Sequence, residues 1–306
     1  MDLRKLVTGI LLILQTIVGI VGNFSLLFHY LVVYYNKFTL KPKDLILVHL
    51  IIANSMIIVS KGIPCIMGVL ELKQFFSDFG CKLLLYTQRV GRSMSIGTAC
   101  HPSVFQAITI SPGNSCWKNF QIKAKTYIDH SMCLCWVLHM TVHFIFPVYA
   151  RFKGNSNNMT EKWDFEFCSF VGRDKIVDTL YAALSVFPEV VFSMIMAWSS
   201  GSMVVILYRH KQRVQSIRSS HASHRTCPES RATQSILVLV FIFLTFYTLS
   251  SILQGCIAVS SNPSWWLLNI TAVMSMCFPT LSPFVLNPNS TVIPFCFAWM
   301  RNKKFP

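Results

Sequence analysis

Apolar residues in this chain do not alternate with polar ones as they do in a soluble domain. They run together in seven long stretches, at roughly 6–33, 44–70, 80–110, 128–150, 175–208, 232–259 and 265–288. About 20 consecutive apolar residues cross roughly 30 Å of hydrocarbon as an α-helix, and each stretch meets that length. Short polar loops join them, with no linker, no low-complexity segment and no repeat between the two halves. The pattern predicts one all-α domain over residues 1–306, a seven-helix transmembrane bundle. The first stretch is too long for a signal-peptide core and lacks a cleavage site, so it is expected to stay as the first span.

Composition agrees. Hydrophobic residues make up 53% of the chain, charged residues 13%, and the mean hydropathy is +0.51. A soluble domain carries about 25% charged residues, and only a bilayer hides this much apolar surface. The net charge of +15 would suggest a nucleic-acid partner in a soluble protein. Here the basic residues crowd the short loops, so a lipid bilayer is the expected partner and nucleic acid is not.

The loop charges also orient the chain. Lys37, Lys41, Lys43, Lys118, Lys123 and Lys125 fall on one side, with the basic run after span five and Arg301, Lys303 and Lys304 in the tail. On the other side, five basic groups in residues 151–178 are matched by Glu161, Asp164, Glu166, Asp174 and Asp178. The expected arrangement is N-terminus outside and C-terminus inside, which Arg4 and Lys5 oppose weakly. It places the sequon Asn158-Met-Thr160 in the longest outer loop, where glycosylation can reach it. Of the eleven cysteines, about nine read as small buried hydrophobes. Cys81 opens span three and Cys168 lies in the outer loop. Both face an oxidising compartment, as a disulfide or as two free thiols.

Several long blocks carry a resemblance. VGRSMSIGTAC, SVFQAITISP, LYRHKQRVQSI, PESRATQSILVLV, NPSWWLLN and FPTLSPFVL closely resemble the type-1 vomeronasal (pheromone) receptors, from span one to the tail. The resemblance implies a plasma-membrane receptor of sensory neurons. Such a receptor detects small pheromone-like molecules and couples to an inhibitory-class heterotrimeric G protein. It also implies a Cys81–Cys168 bridge, a sugar at Asn158, and G-protein contact near Gln106 and through Arg209, Lys211 and Arg213. The bland alternative for that basic run is topology alone, with cations holding the loop against anionic lipid. His101 and Pro102 depart from the family, which as a rule has two leucines there. Pro102 lies about 32 Å along span three from Cys81 and frees the carbonyl of Thr98. Either water or Ser103 accommodates the kink and the receptor signals, or the inner end is displaced and the chain is a poorly coupled, decaying receptor.

Four charges lie inside spans at one depth. Lys61, Arg89, Arg92 and Glu189 fall about 12 to 16 Å below the outer ends of their helices. Buried charges cost about 2.5–3.5 kcal/mol each on insertion scales. They are expected to line a ligand cavity opening outward, with Glu189 offsetting a cation. The alternatives are a structural ion pair, or snorkelling of Lys and Arg. His139 and His143 have the i, i+4 spacing of a metal pair but no third ligand, and read as core or interface residues. No nucleophile–base set or metal cluster stands out, so neither an enzyme nor a cofactor is expected. The rival readings are a bitter-type receptor and a membrane transporter or channel.

Overall fold

A computed structural model describes residues 3–37, 42–69, 78–110, 130–144, 150–152, 162–163, 168–170, 187, 189–202, 204–205, 228–259 and 264–286. Among these residues the chain forms seven helices: α1 (Leu3–Lys37), α2 (Pro42–Val69), α3 (Asp78–Ile110), α4 (130–143), α5 (189–202), α6 (Pro228–Val259) and α7 (Trp265–Leu286). Each falls on one of the seven apolar stretches. Pro228 starts α6, where a missing N–H costs nothing and φ is preset. Ser264 caps α7, its hydroxyl oxygen accepting the Leu267 N–H at 3.3 Å. The end of span four differs from the expected 128–150: α4 closes at 143 and Ala150 already belongs to a strand. Pro147 supplies the reason, since a helix does not continue comfortably into a proline. Between α4 and α5, strands β1 (Ala150–Phe152), β2 (Lys162–Trp163) and β3 (Cys168–Phe170) form an antiparallel sheet in the order β1-β3-β2.

The helices are oily outside and polar inside. On α1, Val7, Ile10, Leu14, Ile17, Val21, Phe24, Phe28 and Leu31 all lie on the exposed face. Its buried face carries Thr16 and Asn23 beside Leu12 and Leu26. Water would reverse that arrangement, whereas lipid dictates it. Among the described residues, four helices are by length and composition apolar enough to cross a membrane, over Leu6–Asn36, Asp44–Pro64, Val240–Ile257 and Trp266–Leu286. Lys82, Arg89, Arg92 and a run of hydroxyl residues dilute α3. Every residue from 90 to 100 is buried, so these polar groups meet neighbouring helices and not lipid.

Small residues and side-chain amides join the helices, as expected where lipid offers no hydrophobic drive between them. A Cβ on Gly62 would collide with the Thr16 side chain, so α1 and α2 cross where only glycine fits. Pro283 lacks the N–H that would bond the carbonyl of Pro279. Asn23 on α1 donates to that carbonyl at 3.0 Å, and also to Gly19 O at 2.8 Å. A chain of hydroxyl and amide groups ends at the same carbonyl. Ser95 donates to Asn54 Oδ1 at 2.8 Å, Asn54 donates to Ser282 Oγ at 2.8 Å, and Ser282 donates to Pro279 O at 3.3 Å. These bonds tie α1, α2, α3 and α7 into one core. Beside them, Phe243 stacks on Tyr247 at 4.1 Å and meets Phe278 edge-on at 4.8 Å.

Candidate functional site

Position 92 on α3 carries an arginine that is 6% exposed. A guanidinium enclosed to that extent must find acceptors for its N–H groups. Nε donates to Glu189 Oε1 on α5 at 3.2 Å. Nη1 donates to Ser250 Oγ at 2.9 Å and Nη2 to Ser251 Oγ at 2.6 Å, both on α6. Beneath it, the Tyr247 ring centroid lies 4.9 Å from the guanidinium carbon, close enough for a cation–π contact. One side chain thus holds α3, α5 and α6 together.

Of the four charges expected at one depth, the structure pairs Arg92 with Glu189. Lys61 is satisfied elsewhere. It is 5% exposed and donates to Ser275 Oγ on α7, which in turn donates to Ala272 O at 2.8 Å. Burial and this bond keep Lys61 inside the bundle rather than at its surface. Arg89 lies one turn from Arg92 on α3 and is half-buried. The structure thus places Lys61 in an α2–α7 contact and Arg92 with Glu189 in an α3–α5–α6 contact. Nothing in the sequence pattern singled out Ser250, Ser251, Tyr247 or Ser275. The adjacent serines of LSSIL, inside an apolar span, were the available signal.

Next to the ion pair, a narrow cleft between α3, α4 and α5 is lined by Ser93, Ile96, His139, Glu189 and Phe192. It is too tight to admit a water-sized sphere. Ser93 Oγ lies 2.7 Å from His143 Nε2, and the His139 and His143 rings stack with centroids 6.2 Å apart. Among the described residues no group of three His, Cys, Asp or Glu side chains could hold a metal. The two histidines sit in the core.

Farther along α3, His101 Nδ1 lies 2.7 Å from Gly97 O, so this nitrogen carries the proton and donates. In the neutral ring Nε2 then accepts from Ser131 Oγ of α4, at 3.1 Å. The α3 helix runs on through Pro102 to Ile110, which includes Gln106. Cys81, fully buried at the start of α3, is disulfide-bonded. Cys168 opens β3 opposite Phe152 of β1, and β1 packs against α3. Asn158, Arg209, Lys211 and Arg213 lie outside the described residues.

Known proteins match this chain along nearly its whole length. The family described as "Vomeronasal organ pheromone receptor family" matches residues 6–298. Human vomeronasal type-1 receptor 4 is 49% identical over 94% of this chain and 96% of its own. Human vomeronasal type-1 receptor 2 is 48% identical over 95% of this chain and 74% of its own. Zebrafish olfactory receptor class A-like protein 1 is 25% identical, over 94% of this chain and 90% of its own. A lipid-adapted bundle of seven helices and this extent of identity lead to one conclusion: the chain belongs to the vomeronasal type-1 pheromone receptor family, a chemosensory multi-pass membrane receptor of the G-protein-coupled type and not an enzyme.

Proposed function

We propose that the chain detects small pheromone-like molecules from the outer side of the plasma membrane and signals through an inhibitory-class heterotrimeric G protein. The observation that carries this reading is the Arg92–Glu189 pair. It bridges α3 and α5 and is held to α6 by two serines, inside a membrane bundle where each charge is expensive. A buried ion pair adds little stability over an apolar contact of the same volume. Three helices that share it move together or break it, which suits an element that a ligand biases between two states. Arg89, one turn from Arg92 on α3, and Lys61, on its separate α2–α7 contact, remain candidates for contact with the ligand in this reading.

In the same reading the N-terminus lies outside, Asn158 carries a sugar and Cys168 is the partner of Cys81. The pairing of β3 with β1, and of β1 with α3, supports the bridge. Gln106, Arg209, Lys211 and Arg213 face the G protein. Continuity of α3 past Pro102, with the His101 tie to α4, favours a coupled receptor over a decaying one.

The test is ligand-driven G-protein activation in cells against a panel of volatile and steroid-like compounds. Native chain is compared with Glu189→Ala and with Arg209, Lys211 and Arg213 all changed to Gln, at matched surface levels. The expected outcome is loss of the response in the first and weakened coupling in the second. Full responses from both variants would refute the reading.

A further inference from the structure

His139 is 4% exposed, and its Nε2 has no hydrogen-bond partner. A buried ring nitrogen left so costs free energy and calls for an explanation. It lies in the cleft it shares with Glu189, Ser93, Ile96 and Phe192. Gly97, next to the cleft residue Ile96 on α3, leaves room beside the same nitrogen: outside its own stretch of helix, a Cβ there would meet one heavy atom, His139 Nε2 at 4.0 Å. On the other side, Glu189 gives Oε1 to Arg92, and no donor among the described residues takes its second oxygen.

We propose that this gap binds the hydroxyl of a small, otherwise apolar alcohol. The ligand O–H donates to Glu189, its oxygen meets His139 Nε2–H, and its hydrocarbon body lies on Ile96 and Phe192. The charge balance selects an alcohol over an amine. Arg92 already neutralises Glu189, so an ammonium group would enter as an uncompensated buried charge, whereas a neutral hydroxyl brings none. The cleft as it stands is closed to a water-sized sphere, so occupancy requires the helices that line it, α3, α4 and α5, to separate. Binding therefore selects a more open arrangement of these helices, two of which, α3 and α5, carry the halves of the ion pair. This inference deepens the receptor reading and rests on it for the consequence of binding, though not for binding itself.

The test uses the purified full-length chain in lipid nanodiscs, with octanol, methyl octyl ether and octylamine as probes and thermal stability as the readout. Octanol is expected to raise the melting temperature while the ether, which has no O–H, does not. His139→Leu removes the nitrogen at similar volume. Gly97→Ala fills the gap with a methyl group that clashes with nothing and favours helix. Both variants are expected to weaken the octanol effect at least about tenfold in concentration. An octanol shift no larger than the ether's, equal shifts in native chain and both variants, or a larger shift with octylamine would each overturn the proposal. Nucleotide exchange on added G protein is followed in parallel. An octanol-specific shift without exchange keeps the site and refutes its coupling to the G protein. Exchange driven by ketones or steroids, without that shift, keeps the receptor and refutes the site.

Discussion

Removing one member of the Arg92–Glu189 pair separates its two roles, and a double-mutant cycle measures the coupling. Arg92→Met takes away the cation, leaves Glu189 as a buried anion and strips Ser250 and Ser251 of their donor. Breaking a buried pair in this way costs about 3–5 kcal/mol. Ser250 still donates to Tyr247 O at 3.1 Å, so its own proton is not orphaned. Glu189→Leu leaves Arg92 with both serine bonds and the Tyr247 face, and is the milder single change. The double variant contains neither charge. Its loss should fall short of the sum of the singles by about 0.5–3 kcal/mol, the range of coupling between contacting residues. Thermal melting of the purified chain in detergent reads the cycle, with surface level in cells as a second measure. Additive singles would show that the pair does not interact, and the bridge between α3, α5 and α6 would have to be abandoned.

Asn23→Leu should lower stability by about 1–2 kcal/mol, because Pro283 leaves the Pro279 carbonyl dependent on Asn23 and Ser282. A melt unchanged from native would contradict that dependence. His101→Leu removes the bonds to Gly97 O and Ser131 and should cost about 1 kcal/mol, again by melting. Pro102→Leu should leave ligand-driven G-protein activation unchanged, since α3 already continues to Ile110. A response gained only on that substitution would mean that the proline uncouples the receptor.

The seven helices were legible because lipid imposes long apolar runs, and a run of that length reads the same from either face. Helix ends followed local chemistry: Pro228 and Ser264 announce starts, while Pro147 explains why α4 stops short of its hydropathy limit. The three strands were not legible, since segments of two or three residues carry no period. Charges at the site were visible because ionisable residues are rare in spans. Their partners were not: a serine inside a membrane helix looks like any small residue until packing brings Ser250, Ser251 or Ser275 to a cation. Depth along the helix placed Lys61 with Arg92. Only rotation about the helix axes assigns one to α7 and the other to α5 and α6.

The bond from Asn23 to Pro279 O also bears on how the chain is made. It spans 256 residues and joins the first helix to the last. At 5–20 residues per second, roughly 13 to 50 s separate the synthesis of its two ends. For that interval Asn23 has Gly19 O on its own helix but not its partner across the bundle, and α1 lies in the membrane unlatched. A chain halted before α7 never closes that latch. The Asn23 bond across the bundle therefore distinguishes a receptor that has acquired α7 from one that has not.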